Sequence, residues 1–220
     1  MQRVFAIGDI HGCSKTFKKL LLEKIQIRKS DKIYCIGDYV DRGRDSKGVI
    51  DFIFELRKKG YHIHTLRGNH EQMMLDAPIS KIKMQHWLKN GGSATLKSFH
   101  IESLKEIAPK YLSFLKKTKF YIKTQKYIFV HAGLNFSKAN LFEDKDAMLW
   151  LRDFPSYQPV LAEQILIHGH TPKSLDTILT QHGNCFNIDG GCVFKEHSHL
   201  GKMVAINLIE RKFISINNCD

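Results

Sequence analysis

Through its first third the chain alternates short apolar runs with longer segments of helical spacing. Val4 to Ile7 is the first apolar run, and it stops at Gly8-Asp9-Ile10-His11-Gly12. Behind it Phe17, Leu20, Leu21 and Ile25 recur at helical intervals, which predicts a helix capped by Ser14. The unit then repeats. Ile33 to Ile36 runs into Gly37-Asp38-Tyr39-Val40-Asp41-Arg42-Gly43, and Val49, Ile50, Ile53, Phe54 and Leu56 mark a second helix within 46–59. A third run, Ile63 to Leu66, ends in Arg67-Gly68-Asn69-His70-Glu71. Three strand-turn-helix units in succession imply parallel strands joined by right-handed crossovers.

From 72 to 126 helical spacing takes over (Trp87, Leu88, Leu96, Phe99, Leu104, Ile107, Tyr111, Leu112, Leu115), broken at Asn90-Gly91-Gly92 and Pro109. This span reads as a helical insertion beside the site, within a single domain of 1–220. The remainder reads as strands: Tyr127 to Val130 ending at His131-Ala132-Gly133, Ile165 to Ile167 ending at His168-Gly169-His170-Thr171, then Ile178–Leu179, Phe186–Ile188, Met203–Leu208 and Phe213–Ile216. Short polar connections between the last four predict an antiparallel meander. An α/β half followed by a β-rich half predicts the α/β class, with two mixed sheets face to face and helices outside.

Composition narrows the setting. At 220 residues, 43% hydrophobic and 25% charged, the chain can fill one core and shows no bias towards disorder. No apolar run approaches the roughly 20 residues that cross a bilayer, and Asp9 and His11 stand where a secretory leader would be apolar. Neither a membrane span nor export is expected. The five cysteines (Cys13, Cys35, Cys185, Cys192, Cys219) are odd in number and lack C-x-x-C spacing, which points away from a disulfide framework or a cysteine zinc site and fits a reducing cytoplasm. A net charge of +12 favours an anionic partner. Its lysine pairs are scattered, however, as on a solvated surface rather than a nucleic-acid footprint. Gly43 to Gly48 has the glycine spacing of a phosphate-binding loop, but Val49 stands where its lysine belongs.

The candidate chemistry lies at the strand ends. Five of them present Asp9 with His11, Asp38, Asn69 with His70, His131, and His170. An aspartate after glycine is by itself an ordinary turn residue, and a lone buried histidine an ordinary core residue. Five such ends in one sheet system point to metal. Carboxylate, imidazole and amide oxygen together suit Mn²⁺, Fe²⁺ or Zn²⁺ better than the all-oxygen shells of Mg²⁺ and Ca²⁺. A carboxylate shared by two ions would hold them about 3.5–4 Å apart, a spacing suited to in-line displacement at phosphorus.

The strings GDIHG (8–12), GDYVDRG (37–43), LRGNHE (66–71), HAG (131–133) and GHTP (169–172) resemble, in order, the motif series of the phosphoprotein phosphatase family, the dimetal Ser/Thr phosphatases of the metallophosphoesterase superfamily. The likeness runs from residue 8 to about 192. Pro172 in place of a second histidine, the absence of the long C-terminal portion of the eukaryotic enzymes, and the stretch Asn187 to Phe194 make the compact bacterial or phage type the nearer comparison.

The resemblance implies two divalent ions, Mn first, with Fe or Zn as options. Asp9 and His11 would hold one, Asn69, His131 and His170 the other, and Asp38 would bridge them. A hydroxide between the ions would attack phosphorus directly. His70 would protonate the leaving alkoxide, with Asp41 orienting it and sustaining its charged form, while Arg42 grips the phosphate. Trp150-Leu151-Arg152-Asp153 resembles the segment that supplies a second clamp, Arg152; its structural alternative is a pairing with Asp153 or Asp146. Phosphate would thus meet Arg42, Arg152, Asn69 and His70. The implied activity is a Ser/Thr protein phosphatase acting on a phosphorylated protein or small phosphoester. Its rivals are a dinucleoside tetraphosphate hydrolase, a phosphodiesterase or nuclease, and a non-catalytic binding module. Asp41 weighs against the tetraphosphate hydrolase, in which the acid partnering the histidine is typically replaced. His168 and the pair His197 and His199 are weaker ligand candidates; Met73, Met74 and Trp87 read as core.

Overall fold

Alternation along the strands decides the layers. The computed structural model describes residues 2–220. In β1 (Val4–Ile7), Phe5 and Ile7 point into a core shared with helices, and Ala6 into a second core between two sheets. Strand β2 (Lys32–Cys35) follows the same rule, with Ile33 and Cys35 on the helix side and Tyr34 on the other. β1, β2 and β3 (His62–Thr65) pair in parallel, as the repeated units imply.

Helices α1 (Ser14–Lys19) and α2 (Ser46–Lys58) form the connections and cover the outer face with Phe17, Val49, Ile50, Ile53 and Leu56. Ser14 is the first helical residue of α1 rather than its cap, and its hydroxyl donates to the Asp45 carboxylate. Asp45 in turn caps α2 by accepting the Gly48 N–H.

Helices α3 (Asn69–Asp76), α4 (Lys81–Trp87), α5 (Ser93–Phe99) and α6 (Pro109–Lys117) extend the same core through Met73, Trp87, Phe99, Tyr111 and Phe114. Pro109 opens α6 instead of breaking it, since the first helical position has no use for an N–H. The span 72–126 is not helical throughout: it closes in an edge strand, β4 (Tyr121–Lys123). That strand is too short and too exposed to show an apolar alternation.

The second sheet has the order β4-β5-β6-β7, and the first the order β3-β2-β1-β8-β9. In β5 (Tyr127–Val130) and β6 (Ile165–His168), Phe129 and Ile167 face the first sheet; Ile128, Val130 and Leu166 face helix α7 (Lys145–Trp150). The Tyr34 and Phe129 rings stack across the sheets with centroids 4.1 Å apart. The fold is thus two mixed sheets face to face with helices outside, of the α/β class.

The expected four-strand meander is reduced to one hairpin. Of those four runs, only β8 (Lys202–Asn207) and β9 (Lys212–Asn217) pair antiparallel. Ile178 and Leu179 belong to a short helix, α8 (Leu175–Leu179), capped by Ser174, which accepts the Thr177 N–H. Two apolar residues carry no period, so the cap decided there. β7 (Cys185–Asn187) pairs in parallel with β6, which makes α8 a crossover. All five cysteines are unpaired, and no helix among the described residues is long and apolar enough to cross a membrane.

Candidate metal centre

The carboxyl ends of β1, β2, β5 and β6 converge, and glycines allow the approach. A side chain at Gly8 would stand 2.1 Å from the Ile188 carbonyl, and one at Gly68 2.1 Å from Asp38 Oδ1. The Asp38 carbonyl accepts the N–H groups of Ile10 and His11, so the first two turns are stitched together by backbone. Five site residues occupy the left-handed region: His11, Asp38, Asp41, Arg42 and His170, with φ of 44, 51, 70, 67 and 69°. Such conformations cost about 1–3 kcal/mol each in non-glycine residues and persist where the surroundings enforce them.

Two sets of ligand atoms result, His11 with Asp38 and His70, and Asp38 with His131 and His170, each within 4.8 Å of one another. Asp38 is common to both. Its Oδ2 lies 3.2 Å from His11 Nε2 and its Oδ1 3.6 Å from His131 Nε2. Asn69 Oδ1 sits 2.9 Å from His131 Nε2 and 3.1 Å from His170 Nδ1. Asp9 stands beside them, its two oxygens 3.3 and 3.4 Å from the His170 N–H. His70 Nδ1 meets Asp41 Oδ2 at 2.8 Å. All are buried.

The hydrogen bonds fix which histidine atoms can bind a cation. His11 Nδ1 donates to the Val40 carbonyl at 2.9 Å and His131 Nδ1 to the Ile36 carbonyl at 3.1 Å. Carbonyls only accept, so in the neutral imidazoles each Nε2 carries a lone pair. Those lone pairs face the oxygens of Asp38 and Asn69, acceptor against acceptor, and His170 Nε2 is buried with no hydrogen-bond partner at all. A cation among them resolves the opposition of acceptors, and the donor set fits divalent metal. Arg42 meets part of this demand: its Nη1 donates to His11 Nε2 at 2.7 Å while the guanidinium lies over the Phe194 ring.

Ionisation follows the same crowding. Burial opposes charge on Asp38, but His131, His70 and His11 around it outweigh that and hold it well below the usual carboxylate range. Burial, reinforced by Asp189 and Asp38, pushes Asp9 well up. Burial drives His131 and His70 below the ordinary imidazole value and His170 down to about 3. For His70 desolvation is the larger influence, while Asp38 and Asp41 pull towards the charged form.

Arg152 is exposed and pairs with neither Asp153 nor Asp146. Its charge is among those that lower His170, and the nearby Trp150 ring stands edge-on to His170 at 6.0 Å. His168 turns away from the ligand sets, against the Phe154 ring. His197 and His199 are exposed on a separate turn.

Residues 2–200 match the family model for the calcineurin-like phosphoesterases. The chain belongs to that family. Among its relatives, Serine/threonine-protein phosphatase 1 of Salmonella typhimurium is 40% identical over 91 residues, 41% of this chain and 39% of that protein. An asymmetrical bis(5'-nucleosyl)-tetraphosphatase of Oceanobacillus iheyensis is 26% identical over 97% of this chain and 92% of its own length. A protein serine/threonine phosphatase from Saccharomyces cerevisiae shares the fold, with a TM-score of 0.69 at 14% identity over 99% of this chain and 80% of its own.

Two features of the site escaped the motif reading. Glu71, buried in α3, accepts the N–H groups of Asp38, Tyr39, Val40 and Gly68 and so ties the second turn to the third. Burial, with the Asp38 charge, pushes it up to about 8, and those N–H groups pull it back. Asp189 is buried beside Asp9, with Gly169 held between them, and burial pushes it up to about 6. The spacing of LRGNHE could have flagged Glu71 as a capping-box residue; nothing local marks Asp189.

Proposed function

We propose that the chain is a metal-dependent phosphomonoesterase of the Ser/Thr protein phosphatase type, acting on phosphorylated proteins or small phosphoesters. The observation that carries this reading is the buried contact of His70 Nδ1 with Asp41 at 2.8 Å, next to ligand sets that share Asp38. Asp9, His11 and Asp38 would hold one divalent ion, and Asp38, Asn69, His131 and His170 the other, Mn²⁺ first. Such a pair, when bound, neutralises charge on the phosphoryl oxygens and acidifies the attacking water.

The protein's own groups do the rest. Asp41 accepts the Nδ1–H of His70, so that in the imidazolium form the second proton, on Nε2, is the one handed to the departing oxygen, and the ring is left neutral with Nδ1–H still on Asp41. Serine alkoxide needs that proton, being about as basic as hydroxide, whereas a nucleotide phosphate, with its last pKa near 6, leaves without one. A proton relay is therefore of most use on a monoester with an alkyl leaving group. Arg42 would swing from His11 to the phosphate oxygens, and Arg152 would be the second clamp on them. The five unpaired cysteines support a reducing cytoplasm as the setting.

A second reading has its own support. The tetraphosphatase relative aligns over 97% of the chain, and the net charge of +12 suits a polyanion. Rates with Mn²⁺ on a phosphoserine peptide, a phosphotyrosine peptide, diadenosine tetraphosphate and a bis-phosphodiester separate the cases. The monoesterase reading expects the phosphoserine peptide to exceed the tetraphosphate in kcat/KM; the reverse order by tenfold replaces it, and no turnover of any of them points to a binding module.

A further inference from the structure

The helical span after β3 reaches into the proton relay. Asp41 is 0% exposed, and two residues of that span hold its carboxylate. Trp87, which ends α4, donates its Nε1–H to Oδ1 and Oδ2 at 3.0 Å each. Thr95 of α5 donates its hydroxyl to Oδ1 at 2.7 Å and accepts the Asp41 N–H at 2.9 Å. The break between the two helices is fitted to this task. Gly92 lies against the indole, where a Cβ would come within 2.5 Å of the ring, and the Gly91 carbonyl accepts the Arg42 N–H.

With Trp87 and Thr95 on its other lone pairs, the Asp41 carboxylate keeps one orientation, and Oδ2 stays aimed at His70 Nδ1. A buried carboxylate deprived of donors would lose the compensation for its desolvation and turn towards other partners. We propose that Trp87 and Thr95 are positioning residues for leaving-group protonation, acting on His70 through Asp41. The inference rests on the proton-donor role proposed for His70. It gives the helical span a part in the chemistry rather than in packing alone.

The test is a leaving-group series on the Mn²⁺-loaded protein: p-nitrophenyl phosphate, a phosphotyrosine peptide and a phosphoserine peptide, in order of rising basicity. Trp87→Phe and Thr95→Val should slow the phosphoserine peptide about tenfold or more and leave p-nitrophenyl phosphate within about twofold. Bound Mn²⁺, counted by calorimetry, should not change. In the Zn²⁺-loaded protein, whose diamagnetic ion leaves the lines sharp, the ¹⁵N shifts of His70 should report a redistribution of its proton between Nδ1 and Nε2 in both variants. An equal loss across the series, no loss, or a loss of bound Mn²⁺ overturns the inference. If Trp87→Phe does not fold, Thr95→Val carries the test alone. His70→Asn run alongside separates the two levels: a flat response there refutes the relay itself, while a steep response there with flat responses in Trp87→Phe and Thr95→Val refutes only the positioning role.

Discussion

The Glu71 carboxylate accepts the backbone N–H of Asp38 at 2.8 Å. With the N–H groups of Tyr39, Val40 and Gly68 on the same carboxylate, it clamps the turn that carries the shared aspartate to the helix that begins with Asn69 and His70. Glutamine in its place has one acceptor oxygen and would turn an NH₂ group towards backbone donors. Glu71→Gln should weaken Mn²⁺ binding about 10- to 100-fold, the usual span for a residue that orients metal ligands. Calorimetric affinity equal to that of the parent protein would remove this role.

His70→Asn should retain both ions yet lower turnover of a phosphoserine peptide by about 10² or more, as expected when a general acid is lost. Measured together, kcat and metal stoichiometry distinguish the roles. Because His70 also lies within reach of His11 and Asp38, loss of one ion in this variant would make it a ligand instead.

Gly68 shows how little room the site leaves. A Cβ there would meet Asp38 Oδ1 at 2.1 Å and Asp38 N at 2.6 Å. Gly68→Ala should therefore displace the aspartate, lower the melting temperature and weaken Mn²⁺ binding about tenfold or more. Unaltered affinity would mean that the turn yields without moving Asp38.

Acid should destabilise the fold partly through His64, which belongs to neither ligand set. Half-buried and stacked on Tyr34, it is held below the ordinary imidazole value chiefly by burial, aided by the charges of Arg57, His62, Lys32 and Lys119. A base with a depressed folded-state pKa binds its proton first in the unfolded chain. Stability is then lost as pH falls from the free-imidazole value, about 6.5, towards the folded one. In thermal melts between pH 7.5 and about 5, His64→Phe, which keeps the ring stack, should show a shallower decline than the parent. Parallel slopes would exclude the contribution.

Legibility in the sequence followed the range of the interactions. Strands β1, β2, β3, β5 and β6 were readable because each is a short apolar run punctuated by glycine, and their ends name the residues that converge. The class of two sheets with outer helices followed from the order of those runs. Ile178 and Leu179 were misread because two apolar residues carry no period, and β4 was missed because an exposed edge strand has no apolar face to display. Trp87 read as core, and it is buried. Its indole N–H on Asp41, 46 residues earlier, was invisible to any local pattern.

The sequence by itself thus determined which chemical groups are available and at which strand ends they stand, because backbone periodicity and turn chemistry act over a few residues. Only the tertiary structure decided that Asp38 is common to two ligand sets, that the lone pairs of His11 and His131 are turned inward, and that Glu71, Trp87 and Thr95 brace them. Those relations depend on left-handed turns and packing between segments far apart in the chain, and no stretch of residues specifies them alone.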